Sequence, residues 1–215
     1  MPATNAAMDS PSIGIVICSS RQPRVCPQIT NFVVSTINAV PISSPTMSTP
    51  TLNIIDLLQW NLPMFNEPTV PSQIHSASDY QQPHTQKWSH EIQKHDAFIF
   101  VTPQYNWGYP AVLKNAIDYL FNEWKGKPAM LVTYGGHGGG KCASQLRQVF
   151  DGIHMVNLKT NVELSFPSRD VTKKAAFGED IGLKDEDGTG ALWDDQRPVI
   201  RQAWNELVEL LSGPA

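Results

Sequence analysis

The chain alternates between short apolar runs and longer stretches in which apolar residues return every third or fourth position. Residues 12–18 (SIGIVIC) are a β-branched run that stops at Ser19, Ser20 and Arg21, after which Ile29, Phe32, Val33, Thr36 and Ile37 share one helical face. A run of that length predicts a strand, and the 3.6-residue recurrence predicts a helix. Residues 41–50 (PISSPTMSTP) predict a connector, residues 51–57 (TLNIIDL) a second strand, and Pro63, Pro68 and Pro71 an irregular stretch. A helix carrying Trp88 and Ile92 then leads into residues 97–101 (AFIFV), whose unbroken hydrophobicity suits a strand covered on both faces.

The same unit returns twice more. Leu113, Ile117, Leu120, Phe121 and Trp124 predict a helix over 111–124, and residues 128–134 (PAMLVTY) a fourth strand. A glycine-rich loop at 135–140 and a helix over 143–150 follow. Residues 155–164 predict a fifth strand, with Asn157, Lys159 and Asn161 blurring its register. The charged, glycine-bearing stretch 173–190 reads as a surface excursion, and Ile200, Trp204, Leu207, Val208 and Leu211 mark an amphipathic terminal helix. Five strands alternating with helices require crossover connections, hence a parallel sheet with helices on both faces. The natural candidate is a doubly wound, flavodoxin-like α/β fold of strand order 2-1-3-4-5, with ligands bound at the carboxyl ends of the strands. Residues 1–11 read as a flexible lead-in and 12–215 as a single domain.

Composition narrows the classes. The 215 residues carry a net charge of −4, which gives no basic field for a nucleic-acid backbone. Cys18, Cys26 and Cys142 are an odd, scattered set with neither disulfide-framework nor zinc-site spacing, as expected of a reducing, cytoplasmic setting. The first eleven residues lack the basic start and apolar core of a secretory signal, and no run approaches the roughly 20 apolar residues of a membrane span. No nucleic-acid partner and no membrane insertion are expected.

Three loops then carry the chemistry. After the first strand come Ser19, Ser20, Arg21, Gln22, Pro23 and Arg24, before a helix whose first turn includes Cys26 and Gln28. Hydroxyls, free N–H groups and a guanidinium together suit a phosphate monoester. A serine-capped helix with solvated arginines would carry the same residues. After the third strand, Thr102, Pro103, Gln104, Tyr105, Asn106, Trp107, Gly108, Tyr109 and Pro110 offer aromatic walls and amide edges to a flat heteroaromatic ring, or simply a packed aromatic turn. After the fourth, the glycines of 135–140 let a backbone approach such a ring closely. Gly135 to Lys141 also fits G-x-x-x-x-G-K, but Cys142 replaces the Ser or Thr that holds magnesium in a triphosphate-binding loop. No GxGxxG follows the first strand, which disfavours a dinucleotide site of Rossmann type. His137 is a proton donor or a polar rim residue, and Cys26 and Cys142 are small fillers or activated thiols.

Together these loops resemble the NADPH-dependent FMN reductase family. The likeness runs from about Ile13 to Phe150 and is most specific in TPQYNWGYPAVLKNAIDYLFNEWKGKP (102–128) and YGGHGGGKC (134–142). Within the family the combination is most like the fungal NAD(P)H:quinone oxidoreductases. The resemblance implies non-covalent FMN, its phosphate held by Ser19, Arg21 and the helix start around Arg24, Cys26 and Gln28. It implies ring contacts from Pro103, Gln104, Tyr105, Asn106 and Trp107, and from Gly135, Gly136, His137 and Gly138. Where the family's first loop often reads GS-x-R, Cys18 holds the glycine position. The family also implies a homodimer, or a dimer of dimers, paired through the helices after strands three and four.

With FMN bound, the hard chemistry belongs to the cofactor and no protein nucleophile is needed. The expected activity is ping-pong, two-electron reduction of a small quinone by NADPH or NADH, with Tyr105 and His137 lining the shared pocket. Arg21, Arg24 and Lys141 are candidate partners for a 2′-phosphate. The rival is a flavodoxin-type electron carrier or a flavin-dependent regulatory binding protein, for which a net charge of −4 offers little of the usual acidic face. Free flavin, an azo compound or a metal complex are alternative acceptors.

Overall fold

Branched apolar residues with nothing polar between them make β1, Ser12–Ile17, a buried strand, and it pairs in parallel with two neighbours. The computed structural model describes residues 10–39, 41, 48–184 and 190–212. Residues 1–9 of the expected lead-in and 42–47 of the connector lie outside the described residues. Pro11 already accepts the Thr51 N–H at 2.8 Å, so sheet pairing begins within the expected lead-in. The other strands are β2 (Thr51–Asp56), β3 (Ala97–Pro103), β4 (Pro128–Gly135), β5 (Val156–Asn157) and β6 (Val162–Ser165). Their order is β2-β1-β3-β4-β5, all parallel, with β6 pairing β4 beyond β5. This is the flavodoxin-like order that the alternation of elements predicts.

Helices cover both faces. Against one, α1 (Cys26–Asn38) and α7 (Arg197–Ser212) bury Ile29, Phe32, Val33, Ile200, Trp204 and Leu207 on Ile13, Ile15, Ile99, Val101, Met130 and Val132. Against the other, α3 (Pro83–Gln93), α4 (Ala111–Asp118) and α5 (Gly140–Gly152) bury Trp88, Ile92, Leu113, Ile117, Leu146 and Phe150 on Val16, Phe98, Phe100 and Leu131. Each large apolar side chain so removed from water contributes about 2 kcal/mol. A four-residue turn, α2 (Leu57–Trp60), follows β2, and α6 (Arg169–Phe177) follows β6.

Three expectations need correcting. The helix over 111–124 stops at Asp118, because the indole N–H groups of Trp88 and Trp124 take the Ala116 and Ile117 carbonyls at 2.8 and 3.2 Å. The chain continues in turns, yet Leu120 and Trp124 stay buried, so the apolar period outlasts the helix. The fifth strand is two short pieces. Between them Glu206 of α7 accepts the Lys159 and Thr160 N–H groups, and Arg147 of α5 donates to the Leu158 carbonyl and Asn161, drawing the polar residues off the sheet. The stretch 173–190 is not wholly a surface excursion: residues 173–177 belong to α6, and Ala175, Ile181 and Leu183 join the core beside α1. Residues 185–189 lie outside the described residues.

Candidate functional site

Because the strands are parallel, the loops after β1, β3 and β4 emerge together at one edge of the sheet. Between them lies a cleft of about 380 Å³, lined by Arg21, Val25, Pro103, Gln104, Tyr105, Tyr134, Gly135, Gly136 and Phe166 and closed on one side by Thr172, Ala175 and Ala176 of α6. That volume falls within the roughly 300–1,000 Å³ of small-molecule sites. A larger groove of about 650 Å³ runs between β5 and α7, lined by Val156, Leu158, Glu206 and Leu210 among others. We assign the site to the smaller cleft, where polar groups from three loops converge at the carboxyl ends of the strands.

At the β1 end, Ser19 is buried and its Oγ lies 2.9 Å from the Tyr105 hydroxyl, which joins the first loop to the third-strand loop. The Arg21 guanidinium donates to the Ala176 carbonyl and, at 3.1 Å, to that of Ala175, and so holds the carboxyl end of α6. Arg24 is committed elsewhere. It makes a two-pronged pair with Asp56 at 2.8 and 2.5 Å and donates to the Ser19 carbonyl, with both charged side chains about nine-tenths buried. Gln28 turns its amide to the Gly178 and Glu179 carbonyls at 3.0 and 3.1 Å. Cys26 is buried beneath the loop and its thiol donates to the Val101 carbonyl. Of the five residues expected at a phosphate, the structure therefore places Arg21 on the cleft lining and Ser19 directly behind it, buried against the Tyr105 hydroxyl, and makes Arg24, Cys26 and Gln28 its framework.

Burial pushes the Cys26 thiol up to about 11 and that of Cys142 to about 12, and raises Cys18 well above its ordinary value. All three stay protonated near neutral pH, which is the behaviour of small apolar fillers rather than of nucleophiles. Tyr134, on the cleft floor, is likewise raised by burial and by its hydrogen bond with Cys26.

At the other end, Tyr105 and Gly108 exchange main-chain hydrogen bonds of 2.9 Å, with Asn106 and Trp107 at positive φ (47° and 67°) between them. This is a two-residue turn of the I′ kind. It puts Trp107 outside the cleft, 60% exposed and stacked on His137 with ring centroids 5.9 Å apart and planes 10° from parallel. Gln145 of α5 holds the turn through the Trp107 carbonyl at 3.2 Å. Pro103, Gln104, Tyr105, Gly135 and Gly136 thus line the cleft, Trp107 and His137 form its outer rim, and Gly138 is buried in a turn closed by its N–H to the Gly135 carbonyl. Gly139 takes φ +90°, and a Cβ there would lie 2.6 Å from that of Thr133. Two first-turn N–H groups of α5, on Lys141 and Cys142, both donate to Gln104 Oε1 at 3.1 Å and are not offered to a triphosphate.

Sequence reasoning missed Asp56, Tyr134, Phe166 and the α6 wall. A lone carboxylate at the end of β2, beside the winding reversal, was a usable sign for Asp56. Nothing local marks Thr172 or Ala175, which reach the cleft only through the fold.

The donor set suits a flavin mononucleotide. Among the described residues the main-chain N–H groups of Ser20, Arg21 and Gln22 have no protein acceptor, and neither do those of Gly136 and His137. A cradle of free N–H groups with a hydroxyl and a guanidinium suits a phosphate, and flat apolar walls with free N–H groups suit a ring edge.

The comparisons agree. The family model described as NADPH-dependent FMN reductase matches residues 11–166. An NAD(P)H-dependent FMN reductase of Saccharomyces cerevisiae is 44% identical over 158 residues, 72% of this chain and 81% of its own length. One from a Nectria species is 31% identical over 210 residues, 94% and 98% of the two chains. Among solved structures, the NAD(P)H:acceptor oxidoreductase FerB of Paracoccus denitrificans superposes with TM-score 0.63 at 18% identity, covering 92% of this chain and 97% of its own. The NAD(P)H:quinone oxidoreductase of Methanothermobacter marburgensis does so with TM-score 0.60 at 16% identity, covering 93% and 98%. The chain belongs to the NADPH-dependent FMN reductase family.

Proposed function

We propose that this protein reduces small quinones with NAD(P)H through non-covalently held FMN, donor and acceptor using one cleft in turn. The observation that carries the reading is the cleft itself, with Arg21 and the free N–H groups of residues 20–22 at one end and Pro103, Tyr105 and the Gly135–Gly136 backbone at the other. Bound there, FMN supplies two-electron chemistry between a nicotinamide and an acceptor. The chain supplies position and shelter. The Arg21 guanidinium and the free N–H groups of residues 20–22 meet the phosphate, Ser19 Oγ backs them by holding the Tyr105 hydroxyl, and Pro103 with the 135–136 backbone flanks the ring. Phe166 walls off water and is itself held by stacking on Trp193 at 5.6 Å. Tyr105 and His137, with Trp107, form the rim over which a nicotinamide and then a quinone enter.

The reading extends to assembly and setting. A homodimer, or a dimer of dimers, pairing through α4 and α5 is supported by the exposed apolar Met64 and by Phe65, whose ring lies 5.3 Å from Tyr119 and whose N–H is held by Asn115 of α4. Light scattering on the eluted protein tests it, and a monomer at micromolar concentration would overturn it. A cytoplasmic setting fits three unpaired, buried thiols. Among the described residues no helix is long and apolar enough to cross a membrane.

Anaerobic titration is the test. The protein is expected to be yellow, to bleach with about one equivalent of NADPH per flavin, and to regain colour with benzoquinone. Initial rates at several fixed quinone concentrations should give parallel double-reciprocal lines. Converging lines would remove the ping-pong order, and a protein that takes up no FMN would remove the whole reading.

A further inference from the structure

Gln104 stands at the junction of β3 and the cleft, where a Cβ added to Gly135 would lie 3.7 Å from that of Gln104. Its own N–H donates to the Tyr134 carbonyl at 2.9 Å, which fixes its backbone to β4. Its side-chain oxygen accepts both the Lys141 and Cys142 N–H groups at 3.1 Å. The preceding residue of α5, Gly139, has no side chain to cap the helix, so Gln104 caps it from another loop. Two main-chain N–H groups can only donate, so the amide atom facing them is necessarily the oxygen. The amide nitrogen is thereby turned away from α5. Among the described residues it has no acceptor, and Gln104 is only half-buried.

We infer that Gln104 presents a fixed N–H donor to the acceptor edge of the bound ring and so tunes how readily that ring takes electrons, its polarity set by the amino end of α5. The inference rests on the FMN reading and deepens it. A donor held toward a ring that gains negative charge on reduction binds the reduced form more tightly than the oxidised one, and its preorganisation means no reorientation accompanies the electrons.

The separating variant is Gln104→Glu. A carboxylate accepts the same two N–H groups and suits the positive end of α5 at least as well, so the cap survives. What changes is the other side of the group, where an N–H donor becomes a negatively charged acceptor. Gln104→Glu is expected to melt at or above the wild-type temperature without flavin, whereas Gln104→Ala, which loses the cap, melts lower. Dye-equilibrated potentiometry should show the reduced flavin held about tenfold more weakly relative to the oxidised in Gln104→Glu, about 30 mV for a two-electron couple. An unchanged potential in a folded, yellow Gln104→Glu protein would overturn the inference and leave the FMN reading standing. A Gln104→Glu protein that melts as low as Gln104→Ala would overturn the cap on which it rests. A wild-type protein that never takes up FMN would overturn both.

Discussion

Arg24 and Asp56 show how a residue's role depends on its partner. A guanidinium beside a phosphate-type loop looks like a ligand, but a carboxylate 32 positions away takes two of its donors and leaves the charge buried. Breaking a buried pair strands the remaining ion, at a cost near 3 kcal/mol. Asp56→Ala is therefore expected to lower urea-unfolding stability by about 3 kcal/mol and to weaken FMN binding indirectly, since Arg24 also holds the Ser19 carbonyl. A loss under 1 kcal/mol would show the pair to be well solvated. Trp107 illustrates the converse, a side chain retained against local preference. Its turn wants Asn-Gly, and a bulky residue at positive φ is disfavoured. Trp107→Gly should raise stability by about 0.5–1 kcal/mol, because the exposed indole contributes little packing. If the proposed quinone reduction holds, the same change should raise the KM for quinones through loss of the aromatic rim. A variant less stable than wild type would mean that the stack on His137 outweighs the strain.

At the scale of elements, α6 is the piece that turns an open strand edge into a walled cleft. Ser168 caps its start by accepting the Val171 N–H, and Gly178 ends it at φ +68°. Its carboxyl end is tied to the first loop by Arg21 and to the start of α1 by Gln28, and a Cβ on Gly178 would approach the Arg24 nitrogen to 3.0 Å. Gly178→Ala is expected to loosen α6 from that loop. Trypsin should then cut at Lys173 and Lys174 several-fold faster, while urea unfolding of the core falls by only about 1–2 kcal/mol. Unchanged cleavage would show that α6 stays docked without this close approach.

At the scale of the whole molecule, the two ends of the sheet do different work. The carboxyl end holds the cleft; the amino end is a structural polar cluster. There Lys127 donates to the Ile92 carbonyl at the end of α3 at 2.7 Å and lies over the Phe98 ring, and burial lowers its pKa from 10.5 to about 8 against the pull of Asp96 and Glu123. Between those values the unfolded chain holds a proton that the native protein does not, so this group makes stability rise with pH in that window and contributes no slope below it. Wild type should gain stability over Lys127→Met between about pH 8 and 10.5 and hold a constant difference from pH 6 to 7.5, read by urea unfolding at each pH. A difference that is flat throughout would place the ammonium in water.

What the sequence by itself determined is what short-range pattern encodes. Unbroken apolar runs marked β1, β3 and β4, the 3.6-residue period marked α1, α3 and α7, and their alternation dictated a parallel, doubly wound sheet whose three loops meet at one edge. Those loops were legible because their residue types, Ser19 and Arg21, the aromatics of 105–109 and the glycines of 135–140, are chemically unusual where they stand. Tertiary structure decided whatever depends on a partner distant in the chain. Trp88 ends α4, Glu206 and Arg147 split the fifth strand, Asp56 withdraws Arg24 from the cleft, Gly178 and Glu179 occupy Gln28, and the start of α5 fixes which way Gln104 points. Periodicity reports which face of an element is buried. It is silent on which donor meets which acceptor, because that is settled only when segments dozens of residues apart are packed together and each buried polar group must find the partner within reach.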